Sequence, residues 1–440
     1  MKYRVSHRFP AFSHHARLSH QLNQTRSFTS FMKKFQTSQP HASVSGGSGS
    51  SQGDSFLIPG ATLATILMLG ALHARRLYDD KKTGEMREKG MELEFQPDVK
   101  ATFLTVLPLR SISRCWGYLT SVEIPLWLRP HLYRAWARAF HSNLEEVAFP
   151  LEEYATLRDF FIRTLKEGSR PIDPDPQCLI SPVDGTVLRF GELTGAGTMI
   201  EQVKGFSYSV SSLLGASPFL PAIADDNMPK ERSESTTAIG EKSKRSWWSV
   251  SLASPKVWDP TSSCPKRGFF YCVVYLKPGD YHRIHSPANW NILSRRHFSG
   301  RLYPVNERAV RTIRNLYLEN ERVVLEGLWQ EGFMALAAIG ATNIGSIELF
   351  IEPELKTNKP RKKLLHSEPP EERVYEPKGV GRALKKGDEL AAFNMGSTVV
   401  LVFQAPIPKL HEEGNSSPEF NFCVKRGDRI RVGEALGRWH

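Results

Sequence analysis

Apolar and polar positions alternate differently along successive parts of the chain. From Leu179 onward, short apolar runs are broken by Gly and Pro: 186–190, 269–276, 333–339, 347–351, 399–403 and 420–424. Runs of this length between turn residues predict β-strands. Lys425-Arg-Gly-Asp428 and Gly433-Glu-Ala-Leu-Gly437 mark turns between the last of them. Ahead of this region the spacing is helical. Thr156-Leu-Arg-Asp159 has the form of a capping box, and Leu157, Phe160, Phe161 and Leu165 fall on one helical face. The pattern thus predicts helices first and a mainly β region after them.

Several further stretches stand apart from the strand pattern. Phe56-Leu-Ile-Pro-Gly-Ala-Thr-Leu-Ala-Thr-Ile-Leu-Met-Leu-Gly-Ala-Leu72 holds seventeen residues without a charge, flanked by Asp54 and by Arg75 and Arg76. That is the shortest length that crosses a bilayer. Lying between polar segments, it predicts a transmembrane anchor over 54–76 more readily than a core helix. Residues 100–142 mix Trp116, Tyr118, Trp127, Tyr133 and Trp136 with Arg114, Arg129, Arg134 and Arg138. Rings beside arginines suit the headgroup boundary of a membrane, although core helices share the composition. Residues 216–266 carry Pro, Ser, Lys and Glu in no period and predict a surface insertion, with the pair Trp247-Trp248 as its exception. A shorter charged loop is predicted over 356–377.

The net charge of +12 invites a nucleic-acid reading until it is located. Residues 1–53 hold seven Lys or Arg and no Asp or Glu, which leaves 51 basic against 46 acidic residues elsewhere. The excess therefore belongs mostly to a leader, and no nucleic-acid partner is expected. An acid-free leader rich in Arg and Ser has the composition of an organellar targeting peptide, followed by a Ser/Gly linker over 43–51. The five cysteines, Cys115, Cys178, Cys264, Cys272 and Cys423, are scattered without a Cys-x-x-Cys pair and suggest neither a disulfide framework nor a zinc site.

Candidate chemistry centres on Phe393-Asn-Met-Gly-Ser-Thr-Val-Val-Leu-Val-Phe403, where a Gly-Ser-Thr triplet runs straight into an apolar strand. Small residues at Gly396 and Ser397 allow hydroxyl and backbone to approach closely. A serine hydroxyl becomes a nucleophile when a base takes its proton, and the base works best when a carboxylate orients it. Ser181-Pro-Val-Asp-Gly185 offers Asp184 as the acid, and Asp280-Tyr-His-Arg-Ile-His-Ser-Pro287 offers His282 and His285 as bases. Singly, each has a plain reading: a turn aspartate, core histidines, a strand-entry serine. The two histidines lack a third ligand at zinc spacing, so no metal is expected.

Together, in this order, the three segments resemble the phosphatidylserine decarboxylase family of mitochondrial type. Supporting matches are Phe160-Phe-Ile-Arg-Thr-Leu-Lys-Glu-Gly-Ser-Arg-Pro-Ile172, Val203-Lys-Gly-Phe-Ser-Tyr-Ser-Val210 with Leu213-Leu-Gly215, Leu302-Tyr-Pro-Val-Asn306 and Gly340-Ala-Thr-Asn-Ile-Gly-Ser346. One departure is Met395, where the family more often has Leu, a volume-conserving exchange. The resemblance implies an α+β fold: N-terminal membrane-associated helices, then a mainly β catalytic domain over 179–440 that the C-terminal α chain completes, with 77–178 as linker and membrane-docking helices. It implies self-cleavage between Gly396 and Ser397, with Asp184, His285 and Ser397 as the charge-relay set. Ser397 would attack the Gly396 carbonyl to give an ester, β-elimination would release the upstream chain and leave dehydroalanine, and hydrolysis with loss of ammonia would leave a pyruvoyl group at the head of a 44-residue α chain.

That covalent pyruvoyl would be the cofactor, with no metal or pyridoxal phosphate. Its ketone would form a Schiff base with the amine of phosphatidylserine and act as electron sink for decarboxylation to phosphatidylethanolamine. His282 is the implied substrate contact and proton donor, although the residues themselves do not rank it against His285. Gly340–Ser346 would line the pocket or form a tight turn, and Phe206 and Tyr208 would line the acyl-chain entrance or belong to the core. The β chain, ending at Gly396, and the α chain would remain associated. The expected partner is phosphatidylserine in a membrane, a homo-oligomer being compatible with the reading. The location implied is the mitochondrial inner membrane, single-pass, with the catalytic part facing the intermembrane space. Arg75 and Arg76 alone would favour the opposite orientation.

Two alternatives use the same residues differently. A membrane-tethered serine hydrolase would employ Asp184, His285 and Ser397 without making pyruvoyl, but Val399 breaks the Gly-x-Ser-x-Gly elbow such enzymes often carry. A non-catalytic lipid-binding protein would need only the membrane segments, and Ser397→Ala would leave it unchanged.

Overall fold

In the computed structural model, residues 107–193, 199–203, 206–217, 267–343, 346–360, 368–375, 381–394, 397–407 and 419–439 are described. The predicted leader, the anchor over 54–76, nearly all of the 216–266 insertion and Gly396 lie outside them. Elements are numbered in chain order.

Four of the apolar runs, 186–190, 269–276, 333–339 and 399–403, lie in one antiparallel sheet of nine strands. At its centre is β14 (Ser397–Pro406), buried along its whole length but for Gln404. It pairs with β5 (Arg267–Leu276) over ten residues on one side and with β9 (Gly332–Ile339) on the other. Beyond β5 follow β2 (Gly185–Leu193) and β16 (Arg429–Ile430). Beyond β9 follow β8 (Arg322–Trp329), β7 (Trp290–Phe298) and, along β7, the edge strands β11 (Glu371–Val374) and β12 (Arg382–Leu384). Three small sheets flank it: β10 (Ile347–Leu349), β13 (Glu389–Phe393) and β6 (Arg283–His285); β1 (Cys178–Ile180), β17 (Ala435–Trp439) and β15 (Phe420–Phe422); and the hairpin β3 (Met199–Val203) with β4 (Phe206–Ser209). Val273, Leu336, Val400, Leu401 and Phe403 are all at most 1% exposed. A central strand with apolar residues on both faces needs cover on both, which explains why its run is unbroken rather than alternating.

Five of the nine strands of the large sheet, β7, β8, β11, β12 and β16, escaped the hydrophobic pattern. β7 ends Ser-Arg-Arg-His-Phe, and β8 contains Glu326, yet Arg295, Arg296, His297 and Glu326 are buried. They neutralise one another across strands: Arg295 bonds Glu352 at 2.5 Å, Arg296 bonds Glu326 at 2.5 Å, and His297 meets Glu321 at 2.9 Å. Burying a charge is tolerable only with such partners, and the partners lie far along the chain. Residues 371–374, expected to be loop, are recruited as β11 because Glu371 and Glu372 pair with Arg295 and Arg296.

The helical layer comes first. α1 (Leu109–Thr120), α2 (Arg129–Phe140) and α3 (Leu157–Phe161) surround a second core of Trp116, Leu132, Tyr133, Trp136, Phe140, Tyr154, Phe160 and Phe161. Tyr133 stacks on Phe160 at 4.4 Å and donates its hydroxyl to the Tyr154 carbonyl at 2.6 Å. Trp116, Tyr133 and Trp136 are therefore core, whereas Tyr118 (78% exposed) and Trp127 (73%) face outward with Leu126 and Phe149. The Thr156–Asp159 capping box forms as the sequence predicts. The helix it starts stops at Phe161, so Leu165 is not on its face but bridges Val147 in extended backbone. Three further short helices are found among the described residues: α4 (Val210–Leu214), α5 (Glu307–Thr312) and α6 (Leu316–Glu319). Among the described residues no helix is long and apolar enough to cross a membrane.

Candidate active site

Ser397 opens β14 directly opposite Leu276, the last residue of β5. Its side chain is fully buried, and its Oγ has no hydrogen-bond partner among the described residues. The chain leaving Leu276 makes a tight turn, in which Asp280 N–H donates to the Lys277 carbonyl at 2.9 Å and Lys277 N–H to Asp280 Oδ2 at 2.7 Å. Gly279 in that turn lies so close to the end of α2 that a Cβ there would meet the Phe140 carbonyl oxygen at 1.9 Å. Glycine is required by this approach. The turn delivers His282 and then β6, which pairs with β13, the strand leading back towards Ser397. Phe393 N–H donates to the His282 carbonyl at 3.0 Å. Sheet register thus brings His282 and Ser397 to the same end of the sheet.

His282 is wholly buried, its ring 4.1 Å from that of Phe161. Nδ1 lies 2.8 Å from the Asp280 carbonyl. A carbonyl only accepts, so Nδ1 carries the proton and Nε2 presents a bare lone pair. That Nε2 has no partner among the described residues. Burial pushes its pKa down to about 3, against the opposing pull of the Asp280 carbonyl, and keeps the ring neutral. Buried polar atoms without partners are rare in folded proteins and call for a reason. Several such atoms occur among the described residues, and two of them, Ser397 Oγ and His282 Nε2, belong to elements that converge on one end of the sheet.

Asp184 and His285 are placed differently. The loop Ser181–Gly185 leads into β2, and His285 N–H donates to the Pro182 carbonyl of that loop at 2.8 Å. Asp184 and His285 are therefore brought together by backbone, but their side chains bond elsewhere. Asp184 accepts from Arg170 Nη2 at 2.6 Å, from Arg170 Nε at 3.0 Å and from the Val432 N–H at 2.8 Å. Arg170 also reaches Glu146 at 2.9 Å, and although burial alone would raise the Glu146 pKa, this contact holds it low. His285 donates from Nδ1 to the Gly387 carbonyl at 2.8 Å, while its Nε2 faces the Tyr281 hydroxyl at 3.1 Å. Burial lowers its pKa, so this imidazole too is neutral. No hydrogen bond joins Asp184, His285 and Ser397 among the described residues.

Several positioning residues were not singled out from sequence. Asn394, three residues before Ser397, is buried; its amide donates to Ser346 Oγ at 2.6 Å and Glu348 at 2.8 Å and accepts from Arg158 Nε at 3.1 Å. Its N–H also donates to the Ser346 carbonyl at 2.9 Å. The Gly340–Ser346 segment thereby anchors the chain just ahead of the Gly-Ser-Thr triplet. Arg170 and Tyr281 sat inside motifs already noted, but only their distant partners reveal their use. Tyr208 proves to be core, 3% exposed, beside Tyr317.

A buried serine, two neutral imidazoles and a paired carboxylate thus lie on segments that meet at one end of the sheet. Residues 157–438 match the phosphatidylserine decarboxylase family model. The chain is 65% identical over 443 residues to phosphatidylserine decarboxylase proenzyme 1, mitochondrial, of Arabidopsis thaliana, spanning 97% of this chain and 96% of that protein. Its identity to the protein of the same name from Oryza sativa is 63%, over 91% and 92% of the two chains. Identity to the phosphatidylserine decarboxylase proenzyme, mitochondrial, of Pongo abelii is 36%, over 84% and 81%. The chain belongs to the phosphatidylserine decarboxylase family, a family of carboxy-lyases.

Proposed function

We propose that the site described above decarboxylates phosphatidylserine to phosphatidylethanolamine, after the chain has cut itself between Gly396 and Ser397. The observation that carries this reading is the buried, unpartnered Ser397 Oγ at the head of the central strand, in a chain of this family. Among the described residues nothing competes for the hydroxyl, and its burial keeps it from bulk solvent.

In the first stage His285 takes the Ser397 proton as the oxygen attacks the Gly396 carbonyl, and Asp184 supplies negative charge nearby. Arg170 and the Val432 N–H hold that carboxylate in place. The pyruvoyl group made from Ser397 would supply a ketone for the substrate amine and an electron sink for the bond to carbon dioxide. The residues present fit such a group: its position is dry, and His282 Nε2 is an orphaned acceptor at the same end of the sheet. Neutral His282 takes the proton that the substrate ammonium must shed before its nitrogen can react. It returns that proton to the carbon from which carbon dioxide has left.

The C-terminal chain remains with the rest because β14 lies between β5 and β9 in the middle of the large sheet, while β16 and β17 pair with β2 and β1. The outward Tyr118, Leu126, Trp127 and Phe149 form the membrane-docking face of the helical layer. The leader over 1–53 and the naming of the relatives as mitochondrial support a mitochondrial location. The charge-free segment inside 54–76 supports a single-pass anchor in the inner membrane, the catalytic part facing the intermembrane space. The test is direct: purified protein incubated with phosphatidylserine vesicles releases carbon dioxide and phosphatidylethanolamine, and Ser397→Ala protein does neither. Turnover by Ser397→Ala would remove the reading.

A further inference from the structure

His285 is tied at both nitrogens, and the two ties are unequal. Nδ1–H donates to the Gly387 carbonyl, whose turn is itself closed by Gly387 N–H bonding the Ser286 carbonyl at 2.8 Å. This fixes the ring. Nε2, the only basic atom left, accepts from the buried phenol of Tyr281 at 3.1 Å. The same hydroxyl lies 3.4 Å from Glu389 Oε1, on the residue facing His285 in the β6–β13 register. Glu389's other oxygen is held by Arg283 at 2.6 Å. A single phenolic proton therefore has two acceptors, a neutral imidazole and a carboxylate. Turning the O–H bond from one to the other opens Nε2 without moving the chain.

We propose that Tyr281 is a positioning residue for self-cleavage: its hydroxyl, shared between His285 Nε2 and Glu389, governs when the basic nitrogen is open to Ser397. This rests on the reading of His285 as the base. The phenol stays protonated because burial and the nearby Glu389 both hold its pKa well above the ordinary value. The groups facing His285 are Tyr281, Glu389 and Arg283 around its own strand and Asp184 from the Ser181–Gly185 loop; the Arg170 guanidinium lies 5.9 Å from the centre of the Tyr281 ring. Burial disfavours the imidazolium most, Glu389 and Asp184 favour it, and Arg283 opposes it.

The signs of two substitutions are then opposite. Tyr281→Phe removes a donor that stabilises the neutral ring, so the acid limb of the cleavage-rate profile moves to higher pH, by roughly half to one unit. Glu389→Gln removes a charge that favours the cation, so the limb moves to lower pH. The experiment makes the full chain by cell-free synthesis, stops translation, and follows loss of the uncut chain over roughly pH 5 to 8, where histidine titrates. Opposite shifts support the assignment. Equal slowing at every pH, with no shift in either variant, would make Tyr281 a packing residue and overturn it. Should Tyr281→Phe fail to fold, Glu389→Gln on its half-exposed carboxylate still decides by the presence or absence of its downward shift. His285→Ala separates the two layers of inference. Cleavage at the unsubstituted rate in that variant removes His285 as base. A block there, with unmoved profiles in the other two, removes only the role of Tyr281.

Discussion

The two halves of the site bury polar groups to opposite effect. Asp184 and His285 themselves have a partner at every polar side-chain atom: Arg170 and the Val432 N–H for the carboxylate, Gly387 and Tyr281 for the imidazole. Among the described residues, the Ser397 hydroxyl and one ring nitrogen of His282 have none. Satisfied groups are held; unsatisfied buried groups carry a desolvation cost that a reacting partner can relieve. In the proposed reading the first half holds the base and its carboxylate in place, and the second carries the oxygen that reacts and the nitrogen that meets the substrate.

Substitutions that empty the unpartnered half give the largest effects. Ser397→Ala should leave a single 440-residue chain and abolish phosphatidylethanolamine formation, seen on a denaturing gel and by lipid analysis. His282→Ala should cut normally yet lose roughly 10²- to 10⁴-fold in decarboxylation, the usual contribution of a positioned acid or base. Full turnover in that variant would place the proton donor elsewhere. In the partnered half, Asp184→Asn strips Arg170 of its closest counter-charge while leaving it Glu146. Uncut precursor should accumulate, and stability should fall towards the low end of the ~3–5 kcal/mol typical of a broken buried pair, read by urea denaturation.

Acid should weaken both halves through their histidines. Each folded pKa lies below the ordinary 6.5, to about 3 for His282. The unfolded chain therefore binds protons that the folded chain refuses. Stability is whole above pH 6.5 and falls as pH drops from there towards 3, by up to roughly 1.4 kcal/mol per pH unit for His282. His282→Gln should flatten that slope; an unchanged slope would mean the ring is not buried neutral. The smallest effect belongs to the outer face of the helical layer. Trp127→Ala should weaken binding to phosphatidylserine vesicles several-fold and leave self-cleavage unchanged, which flotation and gel assays would separate.

The same contrast explains what the sequence revealed. Central strands β5, β9 and β14 were legible because burial on both faces leaves only apolar residues in a run. β7 and β8 were not, because Arg295, Arg296 and Glu326 read as surface until their cross-strand partners are seen. Trp116, Tyr133 and Trp136 looked the same as Tyr118 and Trp127 in composition, and only packing divides core from exposed rings. In the site, Ser397, Asp184, His282 and His285 stood out through their motifs. Gly387, Asn394 and Tyr281 act through contacts with residues roughly fifty to a hundred positions away or through a shared proton, and no local pattern encodes either.

The central claim is that Ser397 becomes the cofactor, and the intact masses of the purified protein under denaturing conditions test it most directly. The account predicts a small chain spanning residues 397–440, lighter by one ammonia than its serine-initiated form, beside a large chain ending at Gly396. A small chain beginning with an ordinary serine would mean hydrolysis or an outside protease, and a single intact chain after maturation has had time to finish would contradict self-processing altogether.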